Sequence, residues 1–186
     1  IVDNASSDNT INRIKNFDAR IEILELEKNI GYGAAANRAM AQTKTDYALL
    51  LNPDILCSEQ NIRKLLHCAK KHPNISIAGP KVLAELDDGS RKINMPAMDY
   101  IDFNSEISLV HHVVGATMLF NMKFWKKLGG FDENIFMYYE DDEICYRAEK
   151  LGLEMAIFPK SEFIHLCGKS CSHNLDTLKI KSYHLT

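Results

Sequence analysis

The sequence has no apolar run that approaches the roughly 18 residues of a membrane-spanning helix; the longest candidates, Tyr47–Leu51 and Val113–Phe120, are strand-sized. Its N-terminus lacks the basic start and apolar core of a secretory signal. There is no excess of basic residues. Twenty-two Lys and Arg against 25 Asp and Glu leave a net charge of −3, which argues against a broad nonspecific nucleic-acid footprint. Five cysteines, at 57, 68, 145, 167 and 171, are odd in number and scattered, so reduced intracellular thiols are expected rather than a disulfide framework. No repeat, low-complexity tract or linker divides the chain. What remains is the balance of a globular protein: 186 residues, 46% apolar and 25% charged, enough for one domain with a substantial core.

The order of elements is legible in the first half. Ile1-Val2-Asp3-Asn4 reads as the end of a strand entering a loop, which leads us to expect an upstream βα unit of roughly 30 residues. Thr10–Phe17 is expected to be helical, Arg20–Glu27 a strand, and Tyr32–Thr43 an alanine-rich helix after the Asn29-Ile30-Gly31 break. Asp46–Leu51 is a short continuous apolar strand of the kind buried on both faces. Asn52-Pro53-Asp54 stops it, and Ser58 caps a helix reaching about Lys71. This alternation predicts a mostly parallel central sheet flanked by helices. Further on, Ile75–Leu86 and Arg91–Asn94 flank the hairpin signal Asp87-Asp88-Gly89-Ser90, and Met95–Ser108 reads as a long loop. Val113–Asn121 is expected to be a strand, Lys123–Leu128 a helix stopped by Gly129-Gly130, and Glu140–Leu151 a helix stopped by Gly152. Two short strands, Leu153–Phe158 and Glu162–Leu166, should surround Pro159, with a terminal helix over Leu175–Leu185.

Chemistry-bearing residues gather at the strand ends, where open parallel sheets bind ligands. Asp3 and Asn4 follow the first strand, Asn29 and Gly31 the second, Asn52 and Asp54 the third. Each alone suits ordinary turn chemistry, but three successive strand ends with an acid or amide predict a shared crevice. Asp54, set by Pro53 at the end of a rigid strand, suits a hard divalent cation on a diphosphate; the competing reading is a capping or solvated acid. Glu140-Asp141-Asp142-Glu143 opens a helix, where acids favour the macrodipole. Directly after the aromatic Phe136, Tyr138 and Tyr139, the same acids also suit a general base of raised proton affinity. Both readings stand on spacing. His165, Cys167, Cys171 and His173 invite structural zinc, but the spacing lacks separated ligand pairs.

Taken in order, these segments resemble family 2 glycosyltransferases, inverting enzymes of the GT-A fold, and within them the rhamnosyltransferase-like bacterial branch. The resemblance rests on Ile1–Asp8, on Asn29-Ile30-Gly31-Tyr32-Gly33-Ala34-Ala35-Ala36-Asn37-Arg38 and on Leu50-Leu51-Asn52-Pro53-Asp54. Gly115-Ala116, Gly130-Phe131-Asp132-Glu133, Glu140-Asp141 with Arg147, and His165 with Gly168 and Ser170 continue it. It implies a single GT-A domain over 1–186, lacking the family's first strand, with residues about 1–56 binding the nucleotide-sugar and about 57–186 serving the acceptor and catalysis.

By the same resemblance, Asp3, Asn4, Asn29, Gly31, Asn37, Asn52 and Asp54 bind the nucleotide-sugar, and Asp54 with His165 holds Mg²⁺ or Mn²⁺. Gly115, Ala116, Asp132 and Glu133 lie on the acceptor side. Asp141 is the base, helped by Glu140. The implied donor is a dTDP-, UDP- or GDP-linked sugar and the acceptor a saccharide or lipid-linked saccharide, in cell-surface polysaccharide synthesis. No nucleic acid is implied. The implied location is cytoplasmic, with peripheral association at the inner membrane face. The sequence departs from the family at Asn-Pro-Asp, where Asp-x-Asp is usual, and at Glu143, where Asp is commoner. A nucleotidyltransferase of similar topology and a non-catalytic sugar-nucleotide-binding remnant stay open at this point.

Overall fold

The computed structural model describes residues 1–86, 88–95 and 101–166. Strand β1 (Val2–Asp3) pairs in parallel with β2 (Leu24–Glu25), forming a two-stranded sheet with helix α1 (Thr10–Lys15) between them. Helix α2 (Tyr32–Met40) follows, then β3 (Tyr47–Leu51), β4 (Ile55–Leu56) and α3 (Glu59–Lys71). The remaining elements are β5 (Ile75–Glu85), β6 (Arg91–Ile93), β7 (Ser108–Val110), β8 (Thr117–Asn121), α4 (Met122–Leu128), α5 (Glu140–Lys150) and β9 (Glu154–His165). A seven-stranded sheet runs β3-β8-β5-β9-β4, with β6 beside β5 and β7 beside β9.

The sheet is mixed rather than mostly parallel. Among the described residues only β5–β9 and β1–β2 pair in parallel, whereas β3–β8, β5–β8, β4–β9, β5–β6 and β7–β9 are antiparallel. Helix-strand alternation was a sound signal for layers but not for strand direction, because long connections can return a strand in either sense. Helices cover both faces. On one face α2, α4 and α5 bury Met40, Phe120, Phe131, Ile144 and Ile157 in one cluster; on the other α3 buries Leu65 and Cys68 with Phe158 and Phe163. The rings of Phe120, Trp125 and Phe131 meet edge to face, with centroids 4.9–5.9 Å apart, the favoured geometry for aromatic quadrupoles.

Several boundaries differ from the sequence reading for identifiable reasons. The apolar run at 47–51 packs on both faces, Ala48 and Leu50 on one and Tyr47 and Leu49 on the other, yet its residues are only half-buried. It is an edge strand among the described residues. The two strands expected around Pro159 are one strand, β9. Phe158 pairs with Pro80 and Glu162 with Lys81, so the ladder steps over 159–161, as a proline without an N–H requires. The strand expected from Val113 starts at Thr117, because Thr117 N closes a turn onto the Val114 carbonyl and the backbones of Val113, Gly115 and Ala116 bond to Cys145, Asp141, Tyr32 and Asn52 instead of to a ladder. Ser58 caps α3 as expected, accepting from the Asn61 N–H at 3.2 Å, and Gly129 ends α4 in the left-handed conformation at φ 78°. The hairpin closes through Ser90, whose carbonyl accepts from Leu86 N at 2.8 Å. The expected helix at 175–185 and the cluster Cys167, Gly168, Ser170, Cys171 and His173 lie outside the described residues.

Candidate functional site

The segment Gly115–Ala116, just before β8, is the mount on which three distant parts of the chain meet. Asn52 donates its backbone N–H to the Ala116 carbonyl at 2.9 Å. The Tyr32 hydroxyl, at the start of α2, donates to the Gly115 carbonyl at 3.0 Å. Gly115 N–H donates to Oδ2 of Asp141 at 2.7 Å, and the Asp142 N–H donates to Oδ1 at 3.1 Å. Two backbone donors therefore orient the Asp141 carboxylate at the N-terminus of α5. Asp54 belongs to the same neighbourhood. Burial pushes the Tyr32 phenol well above its ordinary range, and the charges of Glu140, Asp141 and Asp54 add to that shift.

Helix α5 starts under strain. Tyr138 and Tyr139 both have φ of 67°, a left-handed conformation costly for side chains of this size. The turn drives Glu140 inward, to 8% exposure, and leaves Tyr139 and Phe136 half exposed beside the acids. Burial raises the proton affinity of Glu140, backbone hydrogen bonds oppose this, and the charges of Asp141 and Asp142 add to the rise. Its Oε2 is buried without a hydrogen-bond partner among the described residues. Glu143 turns away from the site and grips the Arg147 guanidinium through Nε, at 2.7 Å, and Nη2. Arg147 Nη1 donates in turn to the carbonyls of Leu128 and Gly130.

At the other side of the mount, pairing of β4 with β9 sets Ile55 opposite His165. Asp54, 4% exposed, then meets the His165 imidazole, with Oδ2 3.4 Å from Nε2. Nearby in the chain, Asn52 Oδ1 is buried without a hydrogen-bond partner among the described residues. The carboxylate and the imidazole form a donor pair that fits a divalent cation accepting oxygen and nitrogen ligands, and Asn52, two residues before Asp54, carries an orphaned amide oxygen.

Asp3 is buried at the end of β1, where its carboxylate accepts from the N–H and hydroxyl of Ser6. Asn4 ties this loop to the next: its Nδ2 donates to Asn29 Oδ1 at 2.9 Å and Gly31 O at 3.2 Å, and its Oδ1 accepts from Ile30 N at 3.0 Å. Gly31, at φ 90°, touches the loop before α5 so closely that a Cβ there would lie 2.5 Å from the Phe136 carbonyl. That carbonyl accepts from Tyr32 N at 2.9 Å. Asn37 spends its amide on the main chain of Phe131, donating to the carbonyl and accepting from the N–H, both at 2.9 Å. Glu133 accepts from Asn37 and pairs with Arg38 at 3.4 Å, while Asp132 holds its own turn through Asn134. Asn37 and Glu133 thus carry scaffold contacts between α2 and the turn before α5, and Asp132 shapes that turn.

Sequence reasoning did not single out Tyr32 or His112. Nothing in the pattern marks Tyr32 apart from its place at the start of α2. His112 is one of two adjacent histidines, and only the fold separates them: His111 faces Glu149 outside, while His112 Nε2 lies 3.3 Å from Asp142 Oδ1 and 3.6 Å from Asp141 Oδ2. Cys145, whose thiol burial pushes up to about 12, accepts a hydrogen bond from Val113 N at 3.4 Å and anchors that segment.

The family model described as "Glycosyl transferase family 2" matches residues 1–129, and one described as "N-terminal domain of galactosyltransferase" matches residues 97–168. Among curated proteins, the chain is 26% identical to the low-salt glycan biosynthesis hexosyltransferase Agl10 of Haloferax volcanii, a match covering 89% of this chain and 57% of that protein. It is 27% identical to an N-acetylglucosaminyl-diphospho-decaprenol L-rhamnosyltransferase of Mycobacterium tuberculosis, covering 89% of this chain and 65% of that one. The chain thus spans less than two thirds of the length of these relatives. Among solved structures, GalNAc-T7 with UDP, GalNAc and Mn²⁺ superposes with TM-score 0.69 at 15% identity, over 88% of this chain and 36% of that one. S. aureus TarS 1–349 in complex with UDP gives 0.66 at 14%, over 88% and 49%. These likenesses show the GT-A fold. Among the described residues no helix is long and apolar enough to cross a membrane.

Proposed function

Because the chain belongs to glycosyl transferase family 2, in its rhamnosyltransferase-like branch, we propose that it moves a sugar from a nucleoside diphosphate to a saccharide or lipid-linked saccharide with inversion at the anomeric carbon. One observation carries this reading: the Gly115–Ala116 backbone is hydrogen-bonded at once to Asn52, Tyr32 and Asp141. That mount ties the turn carrying Asn52 and the start of α5 carrying Asp141 to one backbone segment, which supports a shared site for diphosphate and base. Residues about 1–56, through Asp3, Asn4, Asn29, Gly31, Asn52 and Asp54, take the donor; the remainder takes the acceptor.

Asp141 accepts the proton of the acceptor hydroxyl as that oxygen attacks the face of the sugar opposite the diphosphate. General-base help of this kind is typically worth about 10²–10⁴ in rate. Two backbone donors orient the carboxylate so that it loses little freedom on reaction. Phe136 and Tyr139 offer exposed aromatic surface beside it, which supports a sugar-bearing acceptor. Asp54, His165 and Asn52 Oδ1 would hold Mg²⁺ or Mn²⁺. A cation bound there supplies charge that offsets the diphosphate leaving group. The decaprenol-linked substrate in the mycobacterial relative's name supports a lipid-linked acceptor in cell-surface glycan synthesis, and peripheral contact with the inner membrane face follows from that reading.

The test uses the full-length protein. Transfer is assayed with UDP-, dTDP- and GDP-linked rhamnose and decaprenyl-diphospho-N-acetylglucosamine, and the product anomer is read by NMR. Calorimetry of UDP, dTDP and GDP with Mn²⁺ or with chelator reports the cation. Transfer with inversion and metal-strengthened nucleotide binding, lost in Asp54→Ala, is expected. Retention of the anomeric configuration, or equal affinity with metal and with chelator, would overturn the corresponding part.

A further inference from the structure

His112 is the one imidazole among the described residues that faces the acids opening α5. Its Nε2 is 3.6 Å from Asp141 Oδ2 and 3.3 Å from Asp142 Oδ1. Neither ring nitrogen makes a hydrogen bond among the described residues, and both are shielded from solvent. The three side chains form an ordered series in exposure: His112 at 18% and Asp141 at 20% sit inside, and Asp142 at 60% reaches solvent. The next residue, Val113, is held through its backbone on the Cys145 thiol. The other charged neighbours on α5 are accounted for elsewhere: Glu140 is turned inward, Glu143 is held by Arg147, and Glu149 faces His111.

We propose that His112 is a positioning residue that acts through Asp141 and carries its proton out to Asp142, an inference that rests on Asp141 being the base. A base used once per turnover must be reset. During transfer, the acceptor oxygen forms its bond to the anomeric carbon, the bond to the diphosphate breaks with its electron pair, and the hydroxyl proton moves to Asp141. Both oxygens of Asp141 already accept backbone N–H groups, and the side chain is mostly shielded, so water has poor access to it. Nε2 of His112 lies within a few tenths of an ångström of hydrogen-bond reach and accepts that proton. The imidazolium is then held against Asp142, from which the proton passes to solvent.

The experiment compares wild type, Asp141→Asn, His112→Ala and His112→Gln in full-length protein, using the donor panel and decaprenyl-diphospho-N-acetylglucosamine, with melting curves for each variant. His112→Gln keeps the shape and a donor but cannot carry a proton. It is expected to lower kcat about 10-fold or more, toward the range of general-base effects, with KM for the donor unchanged. Added imidazole and methylimidazoles are expected to restore His112→Ala, increasingly with their basicity. Wild-type kcat in His112→Gln, or rescue that ignores basicity, overturns the proton-carrying role while leaving Asp141 as the base. Normal turnover in Asp141→Asn, or none by wild type with any pair, removes the functional reading and this inference with it.

Discussion

The backbone N–H of Gly115 donates to Oδ2 of Asp141 at 2.7 Å, and a Cβ at position 115 would lie 2.9 Å from that same oxygen. Glycine is needed here for close approach, not for an unusual φ. Gly115→Ala is therefore expected to push the carboxylate aside and lower kcat by about 10², while nucleotide affinity by calorimetry stays near wild type. Unchanged turnover would mean that Asp141 needs no such mooring.

The two inward acids are separable. Glu140 and Asp141 are consecutive on a helix, so their side chains point about 100° apart and serve different contacts. Asp141→Asn is expected to reduce transfer by about 10²-fold or more with donor binding retained, and Glu140→Gln to cost less. A larger loss in Glu140→Gln would shift the base to the buried acid with the orphaned oxygen.

Glu140 also makes stability depend on pH. Its carboxyl is raised by burial above the ordinary value of 4.5, so the folded state binds this proton more tightly than the unfolded chain. The contribution is fully present below 4.5 and is lost as pH rises through the raised value. Thermal melts from pH 4 upward are expected to show this decline in wild type and a flatter profile in Glu140→Gln, with the variant the more stable at pH 7. A variant less stable than wild type at pH 7 would show that Glu140 has a compensating partner.

Arg147 acts as a clasp. It bonds Glu143 on its own helix and reaches the last carbonyl of α4 together with that of Gly130. Lysine has one charged tip and cannot do both. Arg147→Lys is expected to destabilise the fold by roughly 2 kcal/mol in denaturant melts. It should also loosen the turn carrying Asp132 and Glu133. Equal midpoints would show that the fork contributes little.

The edge of β3 carries a fifth expectation. Its only ladder partner among the described residues is β8, and Leu51 is more than a third exposed. A flat apolar edge pairs readily with other chains. The 186-residue chain alone is expected to self-associate in light scattering, and Leu51→Lys should reduce this. A monomer at all concentrations would count against the edge as a sticky surface.

The turns and element ends that hold the candidate residues were largely readable from local rules. Asp3 and Asp54 each follow an apolar stretch, Asn29 opens the break before α2, Gly129 and Gly152 end helices in left-handed turns, and four acids open α5. Ser58 and the Asp88-Gly89 turn obeyed capping and hairpin chemistry because both depend on neighbours only a few residues away.

Long-range contacts lay beyond such rules. Strand sense, the edge position of β3 and the single bulged strand through Pro159 depend on partners dozens of residues apart, and hydrophobic period does not encode partner identity. Tyr32 and His112 became visible only once α2, the Gly115 segment and α5 were brought together. Sequence by itself determined the residue types and the local turns that hold them at element ends. Tertiary structure decided which ends converge, and so which carboxylate is oriented by backbone donors, which is buried, and which histidine faces them.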